Sequence, residues 1–242
     1  MKKLFIILIL LPFFEQAQSL KYSAFLAPNF SGYKSEFLTQ IAKPPIKKWG
    51  FGASYGFITE YFFQKTFSIG TSINYFLTRA ELYTPCYFPY ITDRAISIRN
   101  LISTHSMEVP VFLKLRTNKN ENRFTYLQTG VGLSGLLNAH RKVEIETNFL
   151  GGPKDFQREQ ISNESFSLKN NSGNGIGSFI QFGIGRNVQI KRINLFFELS
   201  YRQDLNFWKY KTLETPDGVK EFPIQRQGIL LKTGIVFNQK KT

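Results

Sequence analysis

Apolar and polar residues alternate with a period of two along the stretch 105–137. Met107, Val109, Val111, Leu113 and Leu115 share one face, and Glu108, Pro110, Phe112, Lys114 and Arg116 share the other. Successive side chains of a strand point to opposite faces, so this is a strand pattern. A polar turn at 118–123 folds the run back, with Val111 meeting Val131 and Lys114 meeting Gln128. Leu127, Val131 and Leu133 then join the apolar face, and Gln128, Gly130, Gly132 and Ser134 join the polar one. The same alternation recurs, predicting strands over 21–30, 49–62, 66–79, 105–116, 123–143, 174–187, 192–204 and 226–238. A tight turn around Gln64 pairs the second with the third, placing Phe57 opposite Thr71.

The connections alternate in length, and that rhythm narrows the fold class. Connections are long after the first, third, fifth and seventh strands and short after the second, fourth and sixth. The chain therefore reads as all-β: an eight-stranded antiparallel up-and-down transmembrane β-barrel. Such barrels keep short turns on the periplasmic side and long loops outside. External loops are expected at 80–101, 147–173 and 207–225. The apolar faces carry bulky, uncharged residues suited to lipid, whereas the polar faces are rich in glycine and serine, suited to a narrow interior. Tyr61, Phe67, Phe124 and Phe237 near the short-turn end, and Tyr75, Tyr201 and Trp208 near the long-loop end, are compatible with two aromatic girdles. The opposite arrangement, a soluble lipocalin-like carrier with an apolar ligand inside, is the weaker reading of the same alternation.

Composition adds export. Lys2 and Lys3 precede an apolar run from Leu4 to Phe14, followed by Ala17 and Ser19, the pattern of a secretory leader. Residues 1–19 are read as a signal peptide and 20–242 as the barrel domain. The apolar run is shorter than the roughly 18 to 20 residues a spanning helix needs. The formal net charge is +14, but the basic residues are scattered instead of forming a phosphate-binding face, so no nucleic-acid partner is expected. The expected partners are outer-membrane lipid and other envelope or secretion-system proteins.

Chemistry is sparse. Cys86 is the single cysteine, and His105 and His140 are the two histidines, so no metal and no cofactor is expected. The candidates for a hydrolytic set are these histidines with Asp93, Ser97 or Ser103. The predicted hairpin register puts His105 nearest Leu137, away from His140, and supplies no nucleophile–base–orienter spacing. The chain is therefore expected not to be an enzyme. Glu60, Glu108, Lys114, Arg116, Glu198, Arg202 and Lys232 fall on the predicted lumen face. Charges inside a narrow barrel must pair, which predicts a structural network with Glu108 and Glu198 as acidic partners of Lys114, Arg202 and Lys232.

The segment WGFGASYGFITEYFFQKTFSIGTSINYF resembles the PorT-like outer-membrane β-barrel family of Bacteroidetes-type bacteria. So do Met107-Glu108-Val109-Pro110-Val111 and Tyr126-Leu127 followed by Gly130-Val131-Gly132, in the same order along nearly the whole mature chain. The resemblance implies an eight-stranded outer-membrane barrel. It also implies an accessory role in protein export through the type IX system linked to gliding. It brings no catalytic residues. A structural or adhesion-type barrel acting through its external loops is the alternative.

Overall fold

The computed structural model describes residues 19–34, 46–64, 66–86, 94–117, 123–149, 157–166, 169–170, 175–211 and 221–237. The strands are β1 Ser19–Lys34, β2 Ile46–Phe62, β3 Phe67–Cys86, β4 Arg94–Arg116 and β5 Phe124–Phe149. They continue as β6 Gln157–Phe166, β7 Lys169–Asn170, β8 Ile176–Ile190, β9 Ile193–Asp204, β10 Trp208–Lys211 and β11 Glu221–Phe237. Eight of them form one antiparallel circuit, β1-β2-β3-β4-β5-β8-β9-β11, and β11 pairs back onto β1 to close it. Closure leaves no unpaired edge inside the circuit, the condition for a sheet that faces lipid. Residues 1–18 of the expected leader 1–19 and the candidate Asp93 lie outside the described residues, and Ser19 begins β1.

The alternation decides the faces. Phe57, Ile73, Val131, Leu133 and Leu231 are exposed on the outer wall, while Glu60, Glu108, Lys114, Glu198 and Arg202 are buried inside. An apolar outside and a charged inside is the reverse of a soluble carrier, so the lipocalin-like reading is overturned. The outer wall also satisfies its own polar atoms: Thr71 donates its hydroxyl to the backbone carbonyl of Pro110 at 2.9 Å.

Glycine on the inner face makes room for rings. A Cβ at Gly70 would lie 2.4 Å from the Phe112 ring, one at Gly185 would lie 2.3 Å from Tyr126, and one at Gly132 would lie 2.5 Å from Phe179. The inner layer of Phe25, Phe76, Phe112 and Phe196 with Leu230 is thus seated against glycine-lined stretches of wall.

Several expectations need correction. Val111 does face Val131 and Lys114 does face Gln128, but Phe57 faces Ile73, and Thr71 faces Thr59. The shift is two residues, which preserves the faces; periodicity fixes parity, and the turn fixes the register. Gln64 donates its backbone N–H to the Phe67 carbonyl at 3.3 Å within that turn. The stretches read as loops at 80–101 and 147–173 are largely strand: β3 runs to Cys86, β4 starts at Arg94, and β5 reaches Phe149 and pairs with β6. The loop 207–225 likewise contains β10, paired with β11. Finally, β5 carries an irregularity opposite His105 and Ser106, so His105 faces Asn138 instead of Leu137, and Ser103 faces His140.

Candidate functional site

The lumen holds the densest chemistry among the described residues, and it is closed at both ends. At the short-turn mouth, Arg116 of β4 lies between the rings of Phe62 and Phe124, with centroids 3.6 and 4.0 Å from its guanidinium carbon. Flat cation and flat rings stack, and the stack occupies the opening. Phe124 is therefore an inward residue, not a girdle residue. The girdle reading set it on the outer wall against its own parity, which it shares with Tyr126 and Gln128 on the inner face, all three buried.

One layer above, Lys114 donates to Glu60 at 2.6 Å, and Ser68 donates to the other oxygen of the same carboxylate at 2.6 Å. Lys232 donates to Glu198 at 2.7 Å, and the Tyr126 hydroxyl donates to Glu198 at 3.1 Å. The Lys114 ammonium also sits 4.3 Å from the centre of the Tyr126 ring. The expected pairing of Glu198 with Lys232 is present in this geometry. Lys114 finds Glu60 on β2 instead of either predicted acid, because β2 and β4 flank β3 and the short Ser68 lets them meet across it.

Nearer the outer mouth, Arg202 grips Glu108 through two nitrogens, Nη2 at 2.7 Å and Nε at 3.1 Å. Its guanidinium carbon lies 4.4 Å from the Phe179 ring centre. Ser106 and Ser134 each approach the same Glu108 oxygen at 3.4 Å. Above this, Asp204 accepts hydrogen bonds from Trp208 and Arg226 and stands in an ion pair with Arg202. Arg202 Nη2 and Arg226 Nε stand 2.7 Å from its two oxygens, and Trp208 Nε1 donates at 2.7 Å. Arg226 also donates to Ser106 and Ser134, at 3.2 and 2.8 Å. The Trp208 ring is fully buried against Gly177, where a Cβ would lie 2.7 Å from it. Trp208 therefore caps the lumen; the girdle assigned to it gains Trp49 instead, which is exposed on the outer wall over Gly32.

Asp204, Arg226, Tyr126 and Trp208 were not among the predicted lumen residues. Parity carries the signal for Asp204 and Arg226: the first shares a face with Glu198 and Arg202, the second with Gly228 and Lys232. Both fall at strand ends that the sequence places at or beyond the membrane boundary. Nothing in periodicity signals Trp208, whose position depends on the turn after β9. The hydrolytic candidates are also placed. The His105 Nδ1 and the Tyr75 hydroxyl form a short hydrogen bond on the outer wall, and Ser103 and His140 are cross-strand partners there.

Outside the barrel proper, β3, β4, β5 and β6 extend as a sheet that carries a second ion cluster. Arg99 bridges Glu81 at 2.7 Å and Glu144 at 3.1 Å, and Lys142 reaches Glu144 at 2.7 Å. The hydrogen bond to Glu81 holds the Arg99 guanidinium in its charged form beyond its ordinary range. The hydrogen bond from Lys142, with Arg99 nearby, holds the Glu144 carboxyl below the usual carboxylate range.

A family model described as outer membrane protein beta-barrel domain matches residues 16–206. The chain belongs to that family. The outer membrane protein β-barrel family places the chain in the outer membrane, with its apolar wall toward lipid. Among solved structures, OprG from Pseudomonas aeruginosa is similar at 11% identity and TM-score 0.47, covering 93% of this chain and 98% of that one. Ail from Yersinia pestis, in complex with the heparin analogue sucrose octasulfate, is similar at 11% identity and TM-score 0.37, covering 91% and 100%. Neisserial surface protein A is similar at 9% identity and TM-score 0.37, again covering 91% and 100%. No curated protein matches the chain. The short turns of this barrel face the periplasm and the β3–β6 sheet faces outward, as outer-membrane barrels are built.

Proposed function

We propose that this barrel is a non-catalytic accessory of protein export across the outer membrane, as its PorT-like resemblance implies. The observation that carries the reading is the sealed lumen: Arg116 with two rings at one mouth, Trp208 at the other, and paired charges between. A barrel filled this way offers solute no path through itself, so its work falls to the surfaces it presents to envelope or secretion-system partners. It needs no cofactor for that role.

Deleting the gene should trap secreted cargo in the periplasm while the outer membrane stays intact, measured by fractionation and surface proteolysis. Unchanged cargo export would end the secretion role. The length of the outer sheet favours a second reading, a surface barrel that adheres through it. In that case trimming β6 should abolish attachment of cells to surfaces and leave export untouched. For either role the purified barrel should show no stepwise conductance in planar bilayers; an open channel would contradict the sealed lumen itself.

A further inference from the structure

The outer wall changes character along one line. Ascending β3, outward residues run Ile73, Tyr75, Leu77 and then Arg79; ascending β4 they run Val109, Met107, His105 and then Ser103. On β5 they run Val131, Leu133, Leu137 and then His140 and Lys142. Strand pairing sets these three transitions side by side: Arg79 faces Ser103, and Ser103 faces His140. The apolar belt therefore ends on a shared level, where lipid chains give way to headgroups. Tyr75 marks that level, stacked on Tyr55 at 5.1 Å and joined to His105.

Immediately above the line lies an outward groove of about 530 Å³, bounded by Arg79, Leu101, Ser103, His140, Lys142 and Asn163. Arg79 and His140 flank Ser103 from adjacent strands, which puts their backbones roughly 10 Å apart at ordinary strand spacing. Among the described residues that line the groove, Arg79 and Lys142 stand against the carboxylate of Glu81, an excess of one positive charge. Arg99 and Lys142 share Glu144, and Arg79 forms no ion pair among the described residues. Leu101 supplies an apolar patch within the groove.

We propose that this groove is a headgroup site for a phosphorylated lipid of the outer leaflet. Arg79 and Lys142 hold the phosphate, Ser103 and Asn163 face the polar remainder, and the acyl chains lie along Leu77, Met107 and Leu137 below. Continuity with the lipid belt selects a lipid over a soluble anion, because the ligand's apolar part continues down a wall that is already in hydrocarbon.

The test uses the full barrel refolded in neutral detergent and titrated with monophosphoryl lipid A, with bound lipid counted by native mass spectrometry. The double substitution R79Q/K142Q should weaken binding about thirtyfold, since each basic residue at a membrane surface contributes on the order of 1 kcal/mol. R186Q/K191Q, at the short-turn end, should leave binding unchanged. Equal weakening by both pairs would mean general attraction to a basic protein and would overturn the site. So would unchanged binding by R79Q/K142Q, or equal binding of an uncharged diacylglycerol. Competition by inorganic phosphate at the lipid's own concentration would turn the groove into a free-anion site and overturn the lipid assignment. Heat-modifiable migration confirms folding; where the double variant fails to fold, R79Q alone is read, at about a fivefold loss, and no loss overturns the proposal.

Discussion

Two ion clusters on one sheet live in different surroundings. In the lumen, Asp204 is 1% exposed and holds two guanidinium groups and an indole N–H. In the outer sheet, Arg99 holds Glu81 at 2.7 Å and Glu144 at 3.1 Å, yet its side chain is 21% exposed. The geometry is alike and the energetics are not. Losing one partner in the lumen leaves a charge that water cannot reach, whereas water repairs most of the loss outside. The lumen cluster is thus a set of mutual obligations, and the outer cluster a set of modest attractions.

The largest expected effect breaks the lumen side of that comparison. Asp204→Ala should cost about 3 to 5 kcal/mol, because Arg202 and Arg226 stay buried with one acid fewer. Urea unfolding of the refolded barrel in vesicles reads this directly. A loss below about 1 kcal/mol would place Asp204 with the solvated pairs. Next comes a charge on the third surface, the one that faces lipid. Val131 is 61% exposed at mid-belt, and Val131→Arg should cost about 2 to 4 kcal/mol in the same assay. Equal stability of the two proteins would contradict a lipid-facing Val131.

Arg99→Gln belongs to the small end. It should cost less than Asp204→Ala, and less still in high salt, because the Arg99 side chain is 21% exposed and Glu144 keeps Lys142 as a partner. A salt-independent loss as large as that of Asp204→Ala would erase the distinction drawn here. The smallest effect is one of pH. The Glu144 carboxyl is held below the usual range by Lys142 and Arg99, so its contribution is fully present above its unfolded value of about 4.3. That contribution fades as pH falls through the lowered folded value. Protection factors of amides in β5 and β6, with the intrinsic pH dependence of exchange divided out, should therefore fall on acidification, and Glu144→Gln should flatten that part of the profile.

Legibility in the sequence followed the solvent. Where lipid meets the wall, every second residue must be apolar, and the faces of β2, β3, β4, β5, β8, β9 and β11 could be read from that constraint alone. Above the membrane line the outer face meets water while the inner face still buries Ala80, Ile102 and Val143, so the alternation weakens and the strands read as loops. The lumen charges were placed on the correct wall by the same parity. The partner of Lys114 was not, since Lys114 and Glu60 lie 54 residues apart and meet only because β3 carries a serine between them.

The sequence by itself determined the barrel class, the two faces and the rhythm of short and long connections, because lipid imposes those rules locally, residue by residue. Tertiary structure alone decided which cation meets which carboxylate, that Trp208 turns inward as a cap, and that Arg79, Ser103 and His140 share one groove. Those outcomes depend on register, on one irregular pairing in β5 and on the closure of the circuit. All three are long-range choices that a period of two leaves open.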